Sequence, residues 1–119
     1  LILSKKNINL VARKNALKRC FDNLVQNGLT YGENVYIKVI KTNNWLTVFI
    51  DDDGKGIPSN EYQNVFKPFY RLDKSRSLNK SGIGLGLAIS EDIIKSHGGS
   101  IQLNKSEYNG LQIKVSLPF

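Results

Sequence analysis

The chain has 119 residues, 40% hydrophobic and 23% charged, a composition that suits one globular domain and leaves no room for two cores. Seventeen basic residues against ten acidic ones give a net charge of +7, which attracts anions. The basic residues are spread along the whole chain without a nucleic-acid-binding module, so nucleic acid is not expected as a partner, and no apolar run approaches the roughly 20 residues of a membrane span.

The opening run Leu1-Ile2-Leu3-Ser4-Lys5-Lys6 lacks an initiator Met and is too short for a signal peptide. Residues 1–119 are therefore expected to form a single domain belonging to a longer protein. A first helix is expected from near Asn15, a capping residue, to about Tyr31, with Gly32 ending it. Leu17, Cys20, Phe21, Leu24, Gly28 and Tyr31 fall on one stripe at helical spacing. Cys20 is the only cysteine, which excludes an internal disulfide, fits a reducing compartment, and reads as a buried thiol.

Two strands follow, around Val35-Ile37-Val39 and Leu46-Val48-Ile50, joined as an antiparallel hairpin through Thr42-Asn43-Asn44. Ser59-Asn60-Glu61 reads as the cap of a short helix through about Val65, and Gly86 to Ser96 as a longer helix ended by His97 and Gly98. Asn109-Gly110 signals a turn between a strand around Ile101 and Leu103 and a last strand with Leu111, Ile113, Val115 and Leu117 on one face. Strands with one polar face, plus about three helices to cover the other, predict a two-layer α/β (α+β) sandwich with a mixed, mainly antiparallel sheet. Residues 71–81 show neither period and read as a functional lid or a disordered stretch.

The chemistry-bearing residues come in an ordered set. Asn23 and Asn27 stand one helical turn apart, at the edge of the apolar stripe. Neutral amide oxygens suit Mg²⁺ beside polyphosphate because they add no negative charge there. Asp52 ends a strand where the chain enters Gly54-Lys55-Gly56, and a carboxylate so held can accept from an exocyclic amine. Asp-Gly is also an ordinary turn signal, and paired asparagines are often merely solvated. Gly82-Ile83-Gly84-Leu85-Gly86 precedes a helix, so its amides can bind an anion. It has neither the preceding strand nor the spacing of a dinucleotide fingerprint, nor the Lys-Ser/Thr of a P-loop. The lid before it carries Arg71, Lys74, Arg76 and Lys80 against the single acid Asp73.

Together these residues resemble the ATP-binding catalytic domain of bacterial sensor histidine kinases, of the Bergerat fold shared with gyrase, Hsp90 and MutL. Asn23-Leu24-Val25-Gln26-Asn27 is similar to the N box and Asp52-Asp53-Gly54-Lys55-Gly56-Ile57 to the G1 box. The run from Phe66 to Asp73 is similar to the F box, and Gly82-Ile83-Gly84-Leu85-Gly86-Leu87 to the G2 box. The Tyr31-Gly32 ending and the Phe-x-Pro-Phe-x-Arg-x-Asp run resemble the osmosensing, porin-regulating kinases.

The resemblance implies that Asn27 ligates Mg²⁺, that Asn23 contacts phosphate or the metal shell, and that Asp52 binds the adenine amine. Gly54, Gly56 and Ile57 would shape the base pocket, with Tyr31 and Tyr70 flanking the nucleotide. Arg71 and Arg76 would reach the phosphates, and Gly82, Ile83, Gly84, Leu85 and Gly86 would support them. It further implies ATP and Mg²⁺ as cofactors, a histidine-containing dimerisation domain upstream in the same protein, and a response regulator as partners. The isolated domain would be a monomer, in the cytoplasmic part of an inner-membrane-anchored kinase. His97, the sole histidine, reads as a helix-end residue and not the phosphoacceptor.

Hydrolysing relatives carry a glutamate four residues before the magnesium asparagine; here Asn23 holds that place, and it is no base at neutral pH. Phosphotransfer by positioning is therefore expected over efficient hydrolysis. Three departures bear on affinity: Thr30 in place of a basic residue, Leu111 in place of a threonine, and Gly28 in place of alanine, which should loosen the helix. A non-catalytic module with the same fold is the alternative that Thr30 and Leu111 favour.

Overall fold

The computed structural model describes residues 14–68 and 86–118. Helix α1 spans Lys14–Tyr31, strand β1 Val35–Lys41, strand β2 Trp45–Asp52, helix α2 Gly86–Ser96, strand β3 Ser100–Lys105 and strand β4 Leu111–Pro118. Two 3₁₀ turns, Ser59–Glu61 and Asn64–Phe66, stand in place of the short helix expected there, and neither has a side-chain cap. The residue at the cap position is Pro58, which has no side-chain acceptor, and the segment is held instead by Val65, buried in the core, with Tyr62 and Phe66 packed against it. Helix α1 begins at Lys14, so Asn15 sits within its first turn rather than before it.

The four strands form one sheet in the order β1-β2-β4-β3. All three pairings are antiparallel. Period-two burial explains why one face is covered. Leu111, Ile113, Val115 and Leu117 of β4, and Leu46, Val48 and Ile50 of β2, are buried with Leu17, Cys20 and Leu24 of α1 and Ile94 of α2. Truncating an enclosed leucine or isoleucine of this set to Ala should cost about 2–5 kcal/mol. The opposite face carries Tyr36, Lys38, Phe49, Gln112 and Lys114, as an antiparallel sheet with one solvated side permits.

The α1 stripe packs as its spacing predicts except at its end, where Tyr31 is 49% exposed. Cys20 is enclosed, and burial pushes its thiol up, away from reactivity. No acid occupies the first turn of α1 and no base its last, so its stability comes from this packing more than from the helix dipole. Helix α2 closes differently. Gly98 takes φ +78°, Gly98 N–H donates to Lys95 O at 3.0 Å and Gly99 N–H to Ile94 O at 3.0 Å, a full Schellman stop. His97 Nδ1 lies 2.7 Å from Ile93 O in the same turn, the helix-end position expected of it.

Candidate nucleotide site

Because β2 alternates, its last two residues diverge, and the chain then turns. Asp51, Asp52 and Asp53 consequently do three different things. Asp52 is buried on the helix-covered side, and its Oδ1 accepts from Gly54 N–H at 3.0 Å and Leu111 N–H at 3.2 Å. Burial raises its pKa above the ordinary carboxylate value; those two hydrogen bonds pull it down, and the charges of Asp53 and Asp51 add to the rise. Both bonds use Oδ1, which leaves Oδ2 as the acceptor for something else.

Asp53 faces away, toward the α1–β1 connection. Its Oδ1 accepts from Glu33 N–H at 2.8 Å and Asn34 N–H at 3.0 Å, and its Oδ2 from Asn34 Nδ2 at 3.0 Å. Hydrogen bonds from Asn34 and Glu33 hold its carboxyl below the usual value. Asp51 points to the other face of the sheet, toward Ser106 and Gln112.

The glycines answer to the protein before any ligand. A Cβ on Gly28 would stand 2.9 Å from Val35 Cγ2 and 3.6 Å from Asp52 Cβ. One on Gly32 would meet Asp53 Oδ1 at 2.7 Å, and one on Gly54 would meet Tyr31 O at 2.5 Å. The end of α1 is thus pressed against the Asp52–Gly54 turn at three bare positions. Gly32 ends α1 as expected, by close approach to the Asp53 turn, its N–H still bonding Gly28 O at 2.8 Å and its backbone not left-handed. Gly28 packs against the Val35 side chain of β1, a close approach that its expected effect on the helix leaves out. Gly56 is different again, with φ +75°.

Asn23 and Asn27 are half-buried on α1, and neither amide is engaged by another described residue. Asn27 is followed in α1 by Gly28, the residue that faces Val35 and the Asp52 Cβ. Ile57 is partly buried against the core, and Gly86 opens α2 with no non-neighbouring atom of the described residues within 4 Å of its Cβ position. Tyr31 is exposed at the end of α1, with its carbonyl against Gly54. Thr30 turns its hydroxyl back to Gln26 O at 2.9 Å. Tyr70, Arg71, Arg76, Gly82, Ile83, Gly84 and Leu85 lie outside the described residues, as does the expected lid. Among the described residues no three His, Cys, Asp or Glu side chains gather as a metal cluster.

Sequence reasoning missed the far wall of this site. The β3–β4 loop brings Gly110 against Asp52, where any Cβ would overlap the carboxylate and the Asp52 carbonyl and stand 2.7 Å from Gly54 N. Leu111, noted as a strand residue and for the hydroxyl it lacks, contributes its backbone N–H. The one available signal was Asn109-Gly110, and it is not a two-residue turn: Asn109 alone has φ +80°, while Asn109 N–H donates to Ser106 O and Ser106 N–H to Gly110 O. That is a turn followed by a bulge, which pushes Gly110 inward.

Residues 12–119 match the family model described as histidine kinase-, DNA gyrase B-, and HSP90-like ATPase. The chain is 36% identical over 121 residues to the sensor protein kinase WalK of Staphylococcus aureus, covering 98% of this chain and 29% of that protein. WalK of strain JH9 gives the same identity with 20% of its length covered, so the chain spans less than a third of these curated relatives. Among solved structures, the mycobacterial sensor histidine kinase MprB superposes with a TM-score of 0.81 at 27% identity, over 92% of this chain and 76% of that one. The nucleotide-free catalytic domain of histidine kinase ThkA gives 0.75 at 30% identity, over 90% and 69%. The ATP-binding domain of PrrB from Mycobacterium tuberculosis gives 0.72 at 27%, over 92% and 71%. The chain belongs to the histidine kinase-, DNA gyrase B- and HSP90-like ATPase family, as a sensor histidine kinase catalytic domain.

Proposed function

We propose that this chain binds ATP with Mg²⁺ and donates the γ-phosphoryl group to a histidine in a separate dimerisation domain of the same sensor kinase, from which a response regulator is phosphorylated. The observation that carries the reading is the Asp52 carboxylate: buried, held by two backbone N–H groups on one oxygen, and with the other oxygen left to accept. An exocyclic adenine amine is the donor it suits. Gly54, Gly56 and Ile57 border the base, and Tyr31 and Tyr70 flank it. Arg71 and Arg76 neutralise phosphate charge, with Gly82, Ile83, Gly84, Leu85 and Gly86 supporting the phosphates.

Asn27 is the residue to hold Mg²⁺. Its half-buried, unengaged amide offers a neutral oxygen, and a magnesium ion that keeps waters and phosphate oxygens needs few protein ligands. Bound there, the ion would neutralise charge on the departing diphosphate. Asn23 contacts the phosphates or the hydrated ion. In the transfer, an imidazole nitrogen lone pair forms the N–P bond as the γ-phosphorus to bridging-oxygen bond breaks, and ADP leaves with that electron pair. Asn23 cannot take a proton from water, so hydrolysis is not promoted. Among the described residues no helix is long and apolar enough to cross a membrane, and the kinase's anchor and its cytoplasmic placement belong to this proposal.

The test has two parts. Calorimetry with a non-hydrolysable ATP analogue and Mg²⁺ should give saturable binding; no heat at millimolar nucleotide would sink the reading. Supplying a histidine-containing dimerisation domain in trans should yield acid-labile phosphate on that domain. Binding without transfer would favour the non-catalytic module, which the Thr30 hydroxyl, bonded to Gln26 O on its own helix, also suits.

A further inference from the structure

Four polar side chains are buried among the described residues: Asp51, Asp52, Ser90 and Ser106. The nucleotide reading uses only Asp52. Asp51 and Ser106 are joined to each other on the face of the sheet turned away from the site. Ser106 Oγ donates to Asp51 Oδ2 at 2.6 Å, a short charge-assisted bond, and accepts from Tyr108 N–H at 3.0 Å. Gln112 Nε2 lies 3.3 and 3.4 Å from the two Asp51 oxygens. Tyr36, paired across the strands with Asp51, stacks on Tyr108 with ring centroids 4.0 Å apart.

The β3–β4 loop is thereby gripped from behind. Ser106 N–H bonds Gly110 O at 2.9 Å, so holding Ser106 holds Gly110. Gly110 and Leu111 then meet the Asp52 carboxylate in front, the one by close approach and the other through its N–H. At 3.2 Å the Leu111 bond has little slack, and a loop retreat of a few tenths of an ångström would break it, leaving the carboxylate held by Gly54 N–H alone and less firmly set in its rotamer.

We propose that Asp51 and Ser106 are positioning residues: their hydrogen bond, made across the sheet from the site, fixes the rotamer of Asp52 and so its selectivity for an amine-bearing purine. The proposal rests on the nucleotide reading of Asp52. It predicts that a hydroxyl nowhere near the ligand controls base discrimination.

The experiment is Ser106→Ala in the 119-residue chain, with Ser106→Thr as the variant that restores the hydroxyl. Amide exchange without nucleotide is read first. Exchange at Leu111 N–H should quicken by about 10-fold, as loss of one charge-assisted bond implies, while Val115 stays within about 2-fold. Titration then follows with AMP-PNP and GMP-PNP. The AMP-PNP dissociation constant should rise by about 3- to 10-fold, the preference over GMP-PNP should shrink in step, and Ser106→Thr should recover both. Unchanged protection at Leu111 overturns the proposal, and so does equal loss at Leu111 and Val115, the mark of a merely structural bond. Selective loss at Leu111 with unaltered base preference also overturns it. If the parent chain binds neither analogue, the nucleotide reading fails, and the grip on Asp52 is judged by exchange alone.

Discussion

Asp52→Asn separates the folding role of this side chain from its binding role. The carboxylate Oδ1 accepts from Gly54 N–H at 3.0 Å and Leu111 N–H at 3.2 Å, and an asparagine Oδ1 can accept both. The fold should lose no more than about 1 kcal/mol, because the acceptor stays and a desolvated charge is removed. At the other oxygen the exchange is severe, since Nδ2 is a donor and would face the adenine amine, also a donor. Losing a hydrogen bond to a charged acceptor costs about 1.5–3 kcal/mol, or about 10- to 150-fold in affinity. A guanine or hypoxanthine carbonyl would instead find a partner, so the preference between AMP-PNP and GMP-PNP should reverse or nearly so. Isothermal calorimetry with both analogues, beside thermal melts without nucleotide, reads all three quantities. Undiminished AMP-PNP affinity in a variant of normal melting temperature would refute the reasoning. So would a collapse of the melting temperature, which would make Asp52 structural.

Further outcomes follow from the same packing. Gly28→Ala gains about 1 kcal/mol of helix propensity but sets a Cβ 2.9 Å from Val35 Cγ2, an overlap costing about 1–3 kcal/mol. Urea unfolding should therefore show Gly28→Ala as neutral or destabilising alone and stabilising in a Val35→Ala background; the same gain in both would disprove the contact. Asp53, whose folded pKa is lowered, stabilises the fold above its unfolded value of 3.8, and that contribution is lost as pH falls through the folded value. Asp52 has the opposite sign: its folded pKa is raised, so its contribution is present below 3.8 and lost as pH rises through the folded value. Melting temperatures on acidification below about pH 4 should fall less steeply for Asp53→Asn than for the parent, and an identical slope would contradict the hydrogen-bond assignment. Asn27→Ala should bind the ATP analogue equally with Mg²⁺ and with EDTA; a surviving metal dependence would place the ion elsewhere.

Much of this architecture is legible because its signals are local. Alternation over Leu111–Leu117 and the stripe Leu17, Cys20, Leu24 in α1 mark their buried faces, and Gly98 marks the end of α2. Asp52 could be singled out from its place at a strand end before glycines. What escaped depends on pairs distant in sequence. Nothing near Gly110 announces that it fits against a carboxylate 58 positions earlier, and nothing near Gly28 announces Val35 packed across from it. The 3₁₀ turns at Ser59–Glu61 and Asn64–Phe66 show the reverse error, a cap-like triplet whose fate was decided by burying Val65, Tyr62 and Phe66.

The three consecutive aspartates at the end of β2 also constrain how this chain can change length. Their tasks are told apart only by counting along the strand, for one step turns a side chain through the sheet. An inserted residue between Trp45 and Ile50, if the added step ran on to the strand's end, would send Asp51 into the core and Asp52 out to the tyrosines. Each carboxylate would survive, and each would be in the wrong compartment. Insertions and deletions in descendants of this sequence should therefore collect in the connection at 42–44 and spare β2, even where the strand's own residues drift freely among Val, Ile and Leu.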